Sequence, residues 1–363
     1  MNAHSKLALT DSHEIFRSSA RRFFETECAP LQRVWEKDRV PRAIWARAGE
    51  LGFLCPRISE EHGGFGADFL YSIILAEEQA RAGVVMPAFS QHSDVVAATI
   101  SAYGSDAQKA ALLPHMASGT ALGAIALAGN ITARRDGNDY VLDGRVDFVA
   151  GGLDAHFVLV AARGDDGVSL FVVETGKMEG LARGKAIKKI GQAAPGAVDL
   201  VFENVRVPAS ALLGEREGLG ALQIAGRATE ERLLQAAASI ATIERALQIT
   251  IDYVKERKAF KQRIIDFQNT RFKLADAKTE AVVLRIFLER CLRDYLAGAL
   301  EDSDAAALAY GAADRQCAIV DDCVQLHGGY GYILDYAVAR MWTDGRLARM
   351  LVCTDATLKD IVA

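Results

Sequence analysis

The chain predicts an α+β protein in which a helical N-terminal region and a helical C-terminal bundle flank a compact middle β domain. Two observations carry this. Apolar residues recur at helical spacing from Asp11 to about Gly119 and again after Gly220. Between Asn130 and Leu213 they give way to strand-like runs separated by Asp-Gly turns. The expected division is 1–119 N-terminal helical domain, 120–214 middle β domain and 215–363 C-terminal helical bundle.

In the N-terminal region Ile15, Ala20, Phe23 and Phe24, and later Leu70, Ile73, Ile74 and Leu75, mark helix faces, with breaks expected at Pro30, Pro56, Gly63-Gly64 and Pro114. In the middle, Asp136-Gly137, Asp143-Gly144 and Asp166-Gly167 are turn signals around runs such as Phe157 to Val160 and Val168 to Val173. Beyond Gly220, one stripe runs through Leu233, Ala236, Ile240, Ile243, Leu247, Ile251 and Val254. Further helices are expected over roughly Ile264 to Leu296 and Ala305 to Leu326.

Composition narrows the function classes. A chain of 363 residues that is 50% hydrophobic and 25% charged can bury a substantial core. Its 42 basic and 47 acidic residues give a charge of −5 with no basic block, which argues against a nucleic-acid partner. No apolar run approaches the ~18 residues of a membrane span. Met1 to Thr10 lacks the apolar core of a secretory signal, so a cytoplasmic protein without membrane insertion is expected. Cys28, Cys55, Cys291, Cys317, Cys323 and Cys353 are scattered without a C-x-x-C, so neither a disulfide framework nor a metal site is expected.

The most informative stretch holds Tyr253-Val-Lys-Glu-Arg-Lys-Ala-Phe260, Phe267-Gln268 and Gln325-Leu-His-Gly-Gly-Tyr-Gly-Tyr332. It resembles the C-terminal bundle of the acyl-CoA dehydrogenases. Trp45-Ala-Arg-Ala-Gly-Glu-Leu-Gly52, Ser59-Glu-Glu-His-Gly-Gly-Phe-Gly66, Gln108-Lys109 with Pro114, and Phe202 to Pro208 extend the resemblance nearly end to end. It implies a β-barrel-like middle domain, a four-helix C-terminal bundle, FAD, and α,β-desaturation of an acyl thioester, CoA-linked or carried by an acyl carrier protein. It further implies a dimer or tetramer and, as electron acceptor, an electron-transfer flavoprotein.

The reaction needs a carboxylate that removes the α-proton while a hydride leaves Cβ. Many members carry it in a C-terminal Tyr-Glu-Gly-Thr motif, but the matching segment here reads Leu351-Val352-Cys353-Thr354 and has no base. The long-chain and isovaleryl types place it just before an Arg early in the first bundle helix, and Thr229-Glu-Glu-Arg-Leu-Leu234 matches through Glu231, with Arg232 beside the substrate. By spacing alone Glu231 reads first as a solvated charge in a first helical turn; the resemblance makes it the base.

For FAD, the resemblance implies Arg257 on a phosphate, Phe260 against the adenine-ribose side, hydrogen bonds from Gln268 and Gln325, and close backbone approach at Gly328 and Gly329. Without the resemblance, Arg257 is a helix-end cation and the glycine pair a helix stop. His327, just before a helix-terminating Gly, is expected to pack or cap. Arg183, Lys185, Lys188 and Lys189 read as a solvated edge or a contact to CoA phosphates.

The flavin side departs from the family. The Thr-Glu-Pro-x-x-Gly-Ser-Asp loop is missing: Ala124 to Thr132 runs straight into Arg134-Arg-Asp-Gly137, a loss of about ten residues, large against ordinary loop variation. The Thr of the family's Phe-Ile-Thr-Asn-Gly is Ala150, leaving Thr354 and the Ala150 backbone as flavin contacts, and the Gly after Phe260 is Lys261. An adenine half kept and a flavin half reduced leave two alternatives beside the dehydrogenase: a flavin-deficient partner subunit of a heterotetramer with a second dehydrogenase chain, or a flavin-free enzyme moving protons on an acyl thioester.

Overall fold

The computed structural model describes residues 7, 9–176, 178–350 and 354–363. Six α-helices open the chain: α1 (Asp11–Phe23), α2 (Gln32–Trp35), α3 (Arg42–Glu50), α4 (Phe69–Ala82), α5 (Ala98–Tyr103) and α6 (Asp106–Ala117). Capping boxes built on Thr10 and Ser105 start α1 and α6, and Asp68 caps α4. Pro114, expected as a break, instead lies inside the last turn of α6, which ends three residues later at Ala117. These helices pack around an aromatic core of Phe23, Phe24, Trp35, Phe53 and Phe89.

Seven strands follow: β1 (Gly123–Ala126), β2 (Gly129–Asp136), β3 (Asp139–Val149), β4 (Phe157–Gly164), β5 (Gly167–Glu174), β6 (Leu181–Arg183) and β7 (Val198–Pro208). They form one mixed sheet in the order β1-β4-β2-β3-β7-β6, with β5 paired to β4. Because β4 takes β1 and β2 parallel and β5 antiparallel, the sheet branches there. Its own core includes Leu142, Val158, Val160, Phe171, Leu200 and Val205.

The C-terminal part contains α7 (Gly220–Ala225), α8 (Ala228–Glu256), a two-stranded ribbon of β8 (Lys258–Ala259) and β9 (Gln262–Arg263), then α9 (Gln268–Leu296), α10 (Asp302–His327), α11 (Ala337–Gly345) and α12 (Asp355–Val362). The stripe anticipated on α8 is its core face: Leu233, Ala236, Ile240, Ile243, Leu247 and Val254 are buried against α9, α10 and Phe69, Leu70 and Ile73 of α4. With Leu233 thus turned inward, the α8 face carrying Glu231, Ala238 and Thr242 is left half-buried. No described helix is long and apolar enough to cross a membrane, and no metal-binding cluster of His, Cys, Asp or Glu occurs among the described residues.

Candidate active site

Two consecutive carboxylates in the first turn of α8 meet opposite environments. Glu230 is 7% exposed and saturated with donors. Arg57 grips it with both guanidinium nitrogens, at 2.6 and 2.9 Å, and Arg227 and the Tyr295 hydroxyl donate to it as well. The Arg57 guanidinium lies 4.8 Å from the centre of the Phe69 ring, which packs on Tyr295. Burial works against the charged form of Glu230, but the donors of Arg57, Arg227 and Tyr295 outweigh it and hold its carboxyl below the ordinary range.

Glu231, about 100° round the helix, has no side-chain hydrogen bond or ion pair among the described residues. It is half-buried, and burial pushes its carboxyl up to about 7, against the pull of Arg227 and Arg232 and with the repulsion of Glu230. An unpaired carboxyl poised near neutrality beside one that stays ionised is the division of labour expected of a general base and its support.

Arg232 does not reach toward this face. It is buried and ion-paired to Asp302, the first residue of α10, which also accepts from the Thr229 hydroxyl at 2.8 Å. Arg232, expected beside the substrate, here ties two helix starts together, since a buried guanidinium takes the nearest carboxylate.

The residues expected to serve FAD gather at the other end of α8. Arg257 follows its last residue, exposed, 5.2 Å over the Tyr330 ring and without a carboxylate partner among the described residues. Phe260 is 92% exposed at the tip of the β8–β9 ribbon. Gln268 and Gln325 are exposed, with no side-chain hydrogen bond among the described residues. Gly328 (φ 59°) and Gly329 open on free space: a Cβ built on either meets nothing within 4 Å. This set of unpaired donors around a bare backbone fits the diphosphate and adenine end of a dinucleotide.

Beneath it, His327 is buried, its Nδ1 2.8 Å from the Cys323 carbonyl oxygen and its ring stacked on Tyr253 at 4.2 Å, which bears out the packing role expected of it.

The flavin-side expectations fare differently. Leu127 and Ala128 alone join β1 to β2, so the long family loop has no counterpart there. The Ala150 carbonyl accepts from the Gln91 side-chain amide at 3.2 Å. Thr354, expected as a flavin contact, caps α12: its hydroxyl accepts from Thr357 N–H, one of the orphan donors of any helix start. Leu351, Val352 and Cys353 lie outside the described residues. Arg183 is no free edge cation, since it donates to the carbonyls of Leu153, Ala155 and Thr175, while Lys185 and Lys188 are exposed.

Sequence reasoning missed Glu230, Arg57, Arg227 and Tyr295. The Arg227–Glu230 pair had a legible signal, a three-residue helical spacing of opposite charges. Arg57 and Tyr295 had none, being brought in by tertiary packing.

Family models match three parts of the chain: the acyl-CoA dehydrogenase N-terminal domain over residues 10–120, the middle domain over 116–205 and the C-terminal domain over 218–363. The chain belongs to the acyl-CoA dehydrogenase family.

Its similarity to the mitochondrial long-chain specific acyl-CoA dehydrogenase of Sus scrofa is 38% identity over 98% of this chain and 86% of the relative. That alignment spans 372 positions, more than the 363 residues of the chain, so the relative has residues with no counterpart here, as a shortened loop requires. An acyl-CoA dehydrogenase from Geobacillus kaustophilus superimposes with a TM-score of 0.95 at 34% identity, covering 99% of this chain and 98% of that one. An acyl-CoA dehydrogenase complexed with FAD from Bacillus anthracis gives 0.91 at 25% identity, covering 98% and 66%. The α+β, helix–sheet–helix order expected from the sequence is that of the acyl-CoA dehydrogenases.

Proposed function

We propose that this acyl-CoA dehydrogenase desaturates an acyl thioester with Glu231 as the base. The observation that carries the reading is the contrast at the start of α8: an unpaired, half-buried Glu231 beside a saturated Glu230. Glu231 accepts the α-proton as the Cα–H bond breaks and Cα=Cβ forms, and burial makes its carboxylate a stronger base than an exposed one. FAD, when bound, supplies the acceptor for the hydride leaving Cβ.

Arg257 would hold a phosphate of the cofactor, Phe260 the adenine-ribose side, Gln268 and Gln325 hydrogen bonds, and Gly328 and Gly329 the close backbone approach. A long-chain fatty acyl-CoA is the first substrate to try, given the relative at 38% identity; a carrier-protein thioester is the second. An electron-transfer flavoprotein would take the electrons onward.

The open adenine cradle together with the two-residue β1–β2 link favours a flavin site completed across a subunit interface, in a homo-oligomer or with a second dehydrogenase chain. Visible absorbance of the purified protein during FAD titration tests both readings. Flavin bands at near-stoichiometric occupancy, bleached anaerobically by long-chain acyl-CoA in wild type but not in Glu231→Gln, are expected. A protein that is colourless once unbound FAD has been removed by gel filtration would overturn the dehydrogenase reading for the isolated chain and leave the partner-subunit reading or flavin-free proton transfer.

A further inference from the structure

Arg227 stands three residues before Glu230 and four before Glu231, so one guanidinium is within helical reach of both carboxylates. In the structure it goes to Glu230, with its Nε buried and without a hydrogen-bond partner. Glu230 is also gripped by Arg57 and Tyr295, which come from the N-terminal region and from the last turn of α9. Three elements thus converge on a carboxylate that has no part in the proton transfer proposed above, while its neighbour is left without a partner.

We infer that Glu230 is a positioning residue that captures Arg227 and so keeps Glu231 unpaired and basic. The inference rests on the reading of Glu231 as the base. A guanidinium bound to Glu231 would stabilise its carboxylate and weaken it as a proton acceptor. By holding Arg227 at its own oxygens, Glu230 prevents that pairing; its negative charge also adds to the proton affinity of the adjacent group. The bidentate grip of Arg57 fixes the first turn of α8, so the direction in which Glu231 projects is set by the same network.

The test is an infrared titration of the full-length protein, following the protonated-carboxyl C=O band that Glu231→Gln removes; it needs neither flavin nor substrate. In wild type that band should titrate near pH 7. In Glu230→Gln, Arg227 is released to Glu231 and the midpoint should fall by about 1–3 units. Glu230→Gln with Arg227→Met should bring the midpoint back toward wild type, because the released cation is gone.

Should Glu230→Gln fail to fold, Arg227→Met alone keeps the Arg57–Glu230 pair and should move the midpoint upward. A midpoint unmoved in both single variants would overturn the capture role and leave Glu230 as a purely structural anchor. If the midpoints move as stated but Glu231→Gln still bleaches bound flavin with acyl-CoA, the capture stands and the base reading fails instead.

Discussion

At the residue scale, the chemistry comes down to what each of two neighbouring glutamates touches. With its carboxyl raised to about 7, Glu231 changes protonation across the neutral range. A base must be deprotonated to act, so kcat/KM should rise with pH through about 7 and level off above it. Glu231→Gln should lower kcat by about 10²–10⁴-fold. The same substitution should stabilise the fold at alkaline pH. The folded-state pKa lies above the ordinary 4.5, so the folded protein disfavours the charged form that prevails above about 7. Removing that charge should gain roughly 1–2 kcal/mol at pH 8, read by denaturant unfolding. The proposal of Glu231 as base could be made from sequence because a Glu-Arg pair in a first bundle turn matches a family pattern. Its unpaired state was not legible, since that depends on Arg57 and Tyr295 arriving from distant segments.

At the element scale, the β8–β9 ribbon is where this chain is least comfortable. Its two-residue turn places Phe260 and Lys261 at φ 51° and 66°, a left-handed pairing that suits glycine. A left-handed non-glycine residue costs about 1–2 kcal/mol, while a glycine there loses about 0.5–1 kcal/mol through the flexibility of the unfolded chain. Lys261→Gly should therefore change stability by less than about 1 kcal/mol. It should nevertheless tighten FAD binding, by clearing a long cation from beside Phe260; isothermal titration would show it.

Arg257→Gln should weaken FAD binding by roughly tenfold or more, a charge-assisted phosphate contact being worth about 1.5–3 kcal/mol. Helices α8, α9 and α10 were readable from periodicity alone, since one apolar stripe per helix suffices to bury it. The branching of the sheet at β4 was not, because pairing partners leave no mark on an alternating strand pattern. Nor was the cap of α12 anticipated, where the Thr354 hydroxyl serves the helix that begins beside it.

At the scale of the whole molecule, an ionic network joins the N-terminal helices to the bundle. Glu78, almost fully buried on α4, takes Arg21 at 2.8 Å, Arg81 at 3.0 Å and Arg17 at 3.3 Å. Glu77 beside it takes Arg17 and Arg285, and Glu244 on α8 takes Arg81 at 2.7 Å and Arg285 at 2.9 Å. Burial opposes the charge on Glu78 and Glu244, yet their arginine partners prevail and hold both below the ordinary value of 4.5. A depressed carboxylate contributes stability that is present above its unfolded pKa and lost as pH falls through its folded one. Thermal stability should therefore hold above about pH 4.5 and decline below it. Glu78→Gln, which leaves Arg21 without its carboxylate while Arg17 keeps Glu77 and Arg81 keeps Glu244, should cost about 1–3 kcal/mol near neutrality.

The start of α8 is held by a separate set of contacts, Arg57 on Glu230 from one side and Asp302 on Arg232 from the other. The measurement that bears most directly on the account is hydrogen exchange at Cα of a long-chain acyl-CoA in D2O, with FAD supplied, followed by mass spectrometry. Wild type should incorporate deuterium at Cα with a rate that rises through neutral pH, and Glu231→Gln should lose the exchange. Undiminished exchange in Glu231→Gln would contradict the assignment of Glu231 and send the search to another carboxylate.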